Sequence, residues 1–336
     1  MYKAAVLGLG RIGLLYEAEP QRPHPSTHVA AYEMSEGFEL VCGIDGDPSK
    51  EALLKEAAPG AAYFPSLEEA MAAGALKDID VVSICTPPDT HLPLVKRLLQ
   101  AGTSRVLFCE KPLTEDTGEA KELLRAVKES GVTLIPNISR RWNGGLRRVT
   151  DLLRSGEIGE LQKIGVRYTR GIRNTGSHLF DLLSMWTGNP IDWVETLGET
   201  PTSAEPEPTL SFAFGLPGGV TGYAEGVDDR QYYLFDIDLY CSRGKVEMRC
   251  SGDEILVYGT GPHHLFQGFA ELTPKSHETG LLQDACMGNA IENIRRILDG
   301  TEKPYCELSD AIYPLYVAEA LERSRISQKR EEVRYE

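Results

Sequence analysis

The segment KAAVLGLGRIG, Lys3 to Gly13, decides the fold. Lys3 to Leu7 is a short apolar run of the kind a buried strand makes, and Ile12 to Tyr16 predicts the opening of a helix. Between them Gly8, Gly10 and Gly13 stand in GxGxxG spacing. A chain with 33 glycines produces such spacings by chance, so the flanking strand and helix carry the reading. In that setting residues without a Cβ let the backbone approach a pyrophosphate lying at a helix N-terminus. Gly8, Gly10, Arg11, Ile12 and Gly13 are the expected phosphate cradle.

The next apolar run, Phe38 to Ile44, ends at Asp45. A carboxylate there accepts hydrogen bonds from both ribose hydroxyls of NAD and repels a 2′-phosphate, so NAD is expected over NADP. Asp45 lies 32 residues beyond Gly13 (45 less 13), whereas about 20 is usual. The excess is assigned to Glu17 to Thr27, EAEPQRPHPST, whose three prolines cannot continue a helix and predict an inserted loop before a helix near His28. A plain turn role for Asp45 in the string DGDP competes with this. Asp47 is better read with Pro48 as the cap of a helix over Ser49 to Ala58.

Beyond Asp45 the pattern repeats. Asp80 to Cys85, Val106 to Cys109 and Val132 to Ile135 are buried-strand candidates. Ser66 with Glu69 makes a capping box, and helices are expected over Leu92 to Gln100 and Glu115 to Ser130. Continuous apolar strands alternating with amphipathic helices predict an α/β, doubly wound parallel sheet covered on both faces. After about residue 140 the texture changes. Helices near Leu146 to Arg154 and Ser177 to Thr187 flank a strand over Lys163 to Tyr168. Hairpins are then expected at Leu210 to Phe214 with Val220 to Ala224, and at Tyr233 to Cys241 with Lys245 to Cys250, followed by Ile255 to Tyr258. Thr200 to Pro208 reads as a surface loop. Helices over Leu281 to Leu298, with Gly300 as C-cap, and Ser309 to Ser327 close the chain. The expected division is 1–120 for the nucleotide domain, 121–305 for an α+β substrate and oligomerisation domain, and 306–336 for a helix and tail returning toward the first.

At 336 residues and 37.0 kDa, with 41% apolar and 25% charged side chains, the chain suits about two soluble domains. Fifty acidic against 35 basic residues leave a formal charge of -15, which repels a phosphate backbone and makes nucleic acid an unexpected partner. Seven cysteines without CxxC spacing fit a reduced cytosol. Arg11 interrupts the first apolar run too early for an export signal, and no stretch approaches a spanning helix of about 20 residues, so no membrane association is expected. No HExxH, Cys/His cluster or GxSxG elbow is present. Adjacent His263 and His264 suit no tetrahedral site, so no metal is expected.

GLGRIG, TPPDTH at Thr86 to His91 and EKP at Glu110 to Pro112 together resemble the glucose-fructose oxidoreductase and inositol dehydrogenase family, written Gfo/Idh/MocA. RRW at 140–142, SGEIGEL at 155–161 and GSHLFDLL at 176–183 fit the same order and spacing. The resemblance implies an N-terminal Rossmann domain, a C-terminal domain with an open, mostly antiparallel sheet, and homodimers or homotetramers through that sheet. It also implies NAD(H)-dependent hydride transfer at a carbinol or ketone of a sugar, cyclitol or nucleotide-sugar derivative. Thr86, Pro87 and His91 would then line the cofactor, with Glu110 near the nicotinamide ribose and Lys111 between nicotinamide and substrate. An ammonium at the carboxyl edge of a parallel sheet is placed to stabilise developing alkoxide charge.

His178 is the implied general acid or base, since imidazole exchanges protons near neutrality. Asp181, at i+3, orients the ring or binds backbone and solvent. Many members carry an aspartate four residues before this histidine; here it is Asn174, which cannot take a proton but can hydrogen-bond a sugar hydroxyl. Arg140 or Arg141 would face a carboxylate or diphosphate, against the alternative of arginines paired within the protein. With cofactor residues before about 120 and His178 after it, the active site is expected in the cleft between the domains. Two further roles stay open: redox-assisted elimination of a glycoside, and a non-catalytic sensor of the same fold.

Overall fold

The computed structural model describes residues 1–201 and 207–335. In chain order its first elements are β1 (Tyr2–Leu7), α1 (His28–Glu33), β2 (Phe38–Ile44), α2 (Ser49–Ala57), β3 (Ala62–Phe64), α3 (Leu67–Ala72), β4 (Val81–Ile84), α4 (His91–Ala101), β5 (Val106–Glu110), α5 (Thr117–Ser130) and β6 (Thr133–Asn137). There follow α6 (Gly144–Ser155), β7 (Leu161–Tyr168), α7 (Gly176–Thr187), β8 (Trp193–Thr200), β9 (Thr209–Gly215), β10 (Thr221–Gly226), β11 (Phe235–Cys241), β12 (Gly244–Arg249), β13 (Glu254–Pro262) and β14 (Ala270–Glu278). The chain closes with α8 (Cys286–Leu298), α9 (Leu308–Ser327) and β15 (Glu331–Glu332). Two compact units result: Met1–Trp142 with Ala285–Ile312, and Asn143–Asp284 with Tyr313–Glu336.

In the first unit six strands run parallel in the order β3-β2-β1-β4-β5-β6. Strand order reverses between β1 and β4, where open α/β sheets place a ligand crevice at the carboxyl ends. Both faces are covered, which explains the unbroken apolar strands. Ala4, Val6, Val81 and Phe108 pack with Ile291 and Ile294 of α8, while Ala5, Val82, Leu107 and Leu134 pack with Val95, Leu98 and Leu123 of α4 and α5. Local signals terminate the helices. Asp116 accepts from the Glu119 amide at 2.9 Å to start α5, and Gly131 closes it at φ 71°. Ser66 likewise accepts from the Glu69 amide at 3.2 Å.

The first unit extends past residue 120, because β6 pairs in parallel with β5 and keeps the chain in the sheet until Asn137. Residues 285–312 also return to this unit rather than to the second. The helix expected over Leu281 to Leu298 is broken: a 3-10 turn spans Leu281–Gln283, Asp284 is extended, and α8 starts at Cys286.

The second unit carries nine strands in the order β14-β13-β12-β11-β7-β10-β9-β8-β15. All neighbours are antiparallel except β7 with β10. Tyr168, Phe180, Trp186, Phe212, Phe214 and Ile237 form its core. β14 had no apolar signal, since its sequence AELTPKSHE has no buried residue. Of the loop expected at Thr200 to Pro208, residues 202–206 lie outside the described residues. No described helix is long and apolar enough to cross a membrane.

Phe212 is wholly buried. Its truncation to Ala is expected to destabilise the second unit by about 3–5 kcal/mol. A urea midpoint that falls with an unchanged slope is the check, and an unshifted midpoint would refute this core.

Candidate functional site

The glycine turn is built by close approach. Gly8 sits at φ 97°, and a Cβ there would lie 2.7 Å from the carbonyl carbon of Cys85. At Gly13 a Cβ would stand 2.0 Å from the Gly8 carbonyl oxygen. These two glycines let β1, β4 and the turn close on one another. Gly10 differs, since an added Cβ would meet no protein atom within 4 Å. That open backbone beside the β1/β4 reversal is the cradle a dinucleotide pyrophosphate needs, and the residues present fit the group.

The helix expected from Ile12 does not run through. Residues 11–14 form turns and Leu15–Ala18 a 3-10 segment. The Ile12 carbonyl accepts from the His28 amide and the Gly13 carbonyl from the Val29 amide, each at 3.1 Å. In an uninterrupted α-helix Ile12 would bond to residue 16, so His28 arrives twelve positions late. Removing those twelve from the 32 between Gly13 and Asp45 leaves 20, the usual interval. The insertion therefore lies inside the first helix. Glu17 closes it: its carboxylate meets His24 Nδ1 at 2.6 Å and accepts from the Ser26 amide at 2.9 Å. Partial burial opposes ionisation of Glu17, but the bonds from Ser26 and His24 hold its carboxyl below the ordinary range.

Asp45 lies at the end of β2. Its Oδ2 accepts from the Leu9 amide at 2.7 Å and its Oδ1 from the Asp47 amide at 2.9 Å. It thus pins the glycine turn, and each oxygen retains a lone pair for a ribose hydroxyl. Asp47 itself accepts from the Ser49 amide at 3.0 Å, as a helix cap does.

At the carboxyl end of β4, Pro87 is exposed and Thr86 half-buried, with Thr90 Oγ1 donating to Thr86 Oγ1 at 2.6 Å. His91 is buried. Its ring nitrogens face the carbonyls of Thr86 and Pro112, both at 2.8 Å, so it ties the β4 loop to the loop after β5. Glu110 ends β5. Its Oε1 accepts from His28 Nε2 at 2.9 Å and Asn137 Nδ2 at 2.6 Å. His28 Nδ1 reaches Ser83 Oγ at 3.0 Å, which meets the Tyr32 hydroxyl at 2.8 Å. Sequence reasoning did not single out His28, Ser83 or Asn137, because residues far apart in sequence meet only through the parallel sheet. Lys111 follows Glu110, half-buried. Arg141 is 8% exposed at its side chain, 2.9 Å from Asp310 and donating to the Tyr305 carbonyl at 3.1 Å. This is the protein-paired role weighed against substrate contact. Arg140 is half-buried.

In the second unit a five-residue π turn, Gly171–Thr175, launches α7. The segment 207–209 receives its leading amides. Thr209 Oγ1 accepts from Gly171 N at 2.8 Å, the Pro208 carbonyl from Ile172 N at 3.1 Å, and Glu207 from Arg173 N and from Asn174 N, the last at 2.7 Å. Gly171 is required, because at φ 77° a Cβ would strike the Glu207 carboxyl at 2.3 Å. Asn174 is half-buried in this turn, His178 half-buried on the first turn of α7, and Asp181 buried one turn on. Glu207 was missed, as its 33-residue separation from Asn174 leaves no local signal.

His263, His264 and Glu271 gather at the tip of the β13–β14 hairpin. His263 Nδ1 accepts from the amides of Leu265 and Phe266, both at 3.1 Å. Its proton then sits on Nε2, the nitrogen a metal would need. Cys42, Cys85, Cys109, Cys241 and Cys306 are buried, and burial pushes the Cys42 thiol up to about 12, so it packs as a small apolar group.

Residues 2–138 match the family model described as oxidoreductase family, NAD-binding Rossmann fold. Over this segment the chain is similar to the Gfo/Idh/MocA family. Across 161 residues the chain is 31% identical to an inositol 2-dehydrogenase of Rhizobium meliloti, covering 48% of this chain and 43% of that one. The chain spans about half the length of the curated relatives it matches. Among solved structures it resembles the WlbA dehydrogenase of Bordetella pertussis, described in complex with NADH and UDP-GlcNAcA. The TM-score is 0.77 at 20% identity, over 100% of this chain and 98% of that one. The transcriptional regulator Gal80p of Kluyveromyces lactis has a TM-score of 0.76 at 18% identity, over 98% and 91%. At such identities the likeness is one of fold.

The glycines make separable predictions. Gly10→Ala is expected to keep thermal stability within about 0.5 kcal/mol of wild type while weakening NADH about tenfold. Gly13→Ala overpacks the turn and is expected to cost about 1–3 kcal/mol of stability. Thermal unfolding and NADH fluorescence titration read the two effects, and equal stability losses in both variants would refute the division of roles.

Proposed function

We propose that the protein is an NAD(H)-dependent oxidoreductase acting on a carbinol or ketone of a sugar, cyclitol or nucleotide-sugar derivative. The open backbone at Gly10, framed by the pinned turn and the Asp45 carboxylate, carries this reading. The inositol dehydrogenase among its relatives, and a neighbour described with a nucleotide sugar, support the substrate class. Asp45 favours NAD over NADP by offering a negative charge where a 2′-phosphate would sit.

Bound at the cradle, NAD supplies the hydride acceptor. The Lys111 ammonium donates to the reacting oxygen and stabilises its developing charge, and His178 takes the hydroxyl proton. Asn174 donates and accepts hydrogen bonds with a neighbouring hydroxyl. Asp181, in the interior of α7, steadies that helix and orients His178. Thr86 and Pro87 border the cofactor, and His91 holds their loop. Arg140 and Arg141 are the arginines offered to an anionic substituent, and Arg141 is also paired with Asp310. We further propose a cytoplasmic homo-oligomer that covers the open sheet face bearing Tyr223 and Tyr240, which are 44% and 42% exposed.

Lys111→Ala and His178→Ala are each expected to lower kcat about a hundredfold or more with a turned-over sugar or cyclitol, followed at the NADH absorbance. Near-normal turnover in either variant would remove that residue from the chemistry. Wild type is expected to bind NADH more tightly than NADPH, and Asp45→Ser to narrow the difference. Tight NADH binding without turnover across a broad sugar and cyclitol panel would move the protein to a cofactor-sensing role.

A further inference from the structure

The Tyr32, Ser83 and His28 side chains form one buried hydrogen-bonded chain that ends on Glu110, and its imidazole has no part in the chemistry above. His28 is 0% exposed and Ser83 0% exposed. The Phe108 ring flanks the imidazole at a centroid distance of 4.9 Å. A carboxylate only accepts, so Nε2 donates to Glu110. With the ring neutral, Nδ1 accepts from the Ser83 hydroxyl, which accepts from Tyr32. The Asn137 amide adds a second donor on the same Glu110 oxygen.

The backbone of the same residue holds the glycine turn. His28 N donates to the Ile12 carbonyl, and its neighbour Val29 to Gly13. One residue therefore joins the phosphate-facing turn after β1 to the segment after β5 that carries Lys111. The twelve-residue insertion is also explained: the detour may have any length that returns His28 to this helical pairing, and Glu17 fixes the return through Ser26 and Thr27.

We propose that His28 is a positioning residue that locks the glycine turn to the Glu110–Lys111 segment, so that NADH binding depends on its hydrogen bond to Glu110. This rests on the reading of the first unit as the NAD site. Glu110 is a charged acceptor, and loss of this hydrogen bond is expected to weaken NADH about tenfold or more.

The test compares His28→Gln, which keeps an N–H donor for Glu110, with His28→Leu, which fills similar volume and donates nothing. NADH affinity is measured by fluorescence titration beside thermal stability. Gln is expected to stay near wild type, and Leu to bind about tenfold or more weakly while remaining folded. A residue needed only for packing gives the opposite order, since Leu suits an apolar pocket better than Gln; that order, or equal binding by both, overturns the proposal. Should His28→Leu fail to fold, Ser83→Ala and Tyr32→Phe cut the chain at its far end. Each is expected to weaken NADH about threefold, and unchanged affinity in both overturns the proposal. A wild-type protein that does not bind NADH refutes the NAD reading itself, and this proposal with it. Binding by wild type with no difference among the variants refutes the role of His28 alone.

Discussion

The first unit depends on one close approach, that of the glycine turn to β4 and to itself. Gly13 lies so near the Gly8 carbonyl, and Gly8 so near Cys85, that no side chain is compatible at either position. The Leu9 amide, exposed by that turn, is taken by Asp45, and the carbonyls beyond it are taken by α1. Removing any of these contacts leaves backbone groups in the interior without partners, which is what makes the arrangement specific rather than merely compact.

The second unit solves a different problem. A π turn exposes successive amides that an ordinary helix start would leave to solvent, and a segment more than thirty residues away collects them: Glu207, Pro208 and Thr209. The carboxylate is suited to this place because it accepts from two amides at once and lies at the positive end of the helix that follows. His178 and Asn174 owe their placement to this contact as much as to their own sequence.

Much of the fold was legible because its signals are local. Strands buried on both faces must be continuously apolar, so β1, β2, β4 and β5 were readable from composition alone, and the cap Ser66 announced its helix. The boundary at 120 fell short because α5 and β6 look the same in sequence whichever domain they join; only pairing of β6 on β5 assigns them. β14 escaped notice because an exposed strand has no reason to be apolar. The site divided in the same way. Gly8, Gly10, Gly13 and Asp45 form a spacing pattern, while His28, Glu207 and the Arg141–Asp310 pair have partners that no spacing rule connects.

By itself the sequence determined a parallel α/β unit with a glycine cradle and an acid at the end of the second strand. It also determined a second, hairpin-rich unit carrying a histidine at a helix start. These follow from periodicity, from Cβ-free positions and from prolines that forbid a helix, all of which act over a few residues. Only the tertiary structure decided that the insertion sits within the first helix and leaves its hydrogen-bond register intact. It alone decided that Asp45 braces the turn it serves, and that one buried histidine, 82 residues before Glu110, joins the glycine turn to the segment after β5. Those outcomes depend on which strands become neighbours, and hydrogen bonds between distant residues exist only once the sheet has brought them within 3 Å.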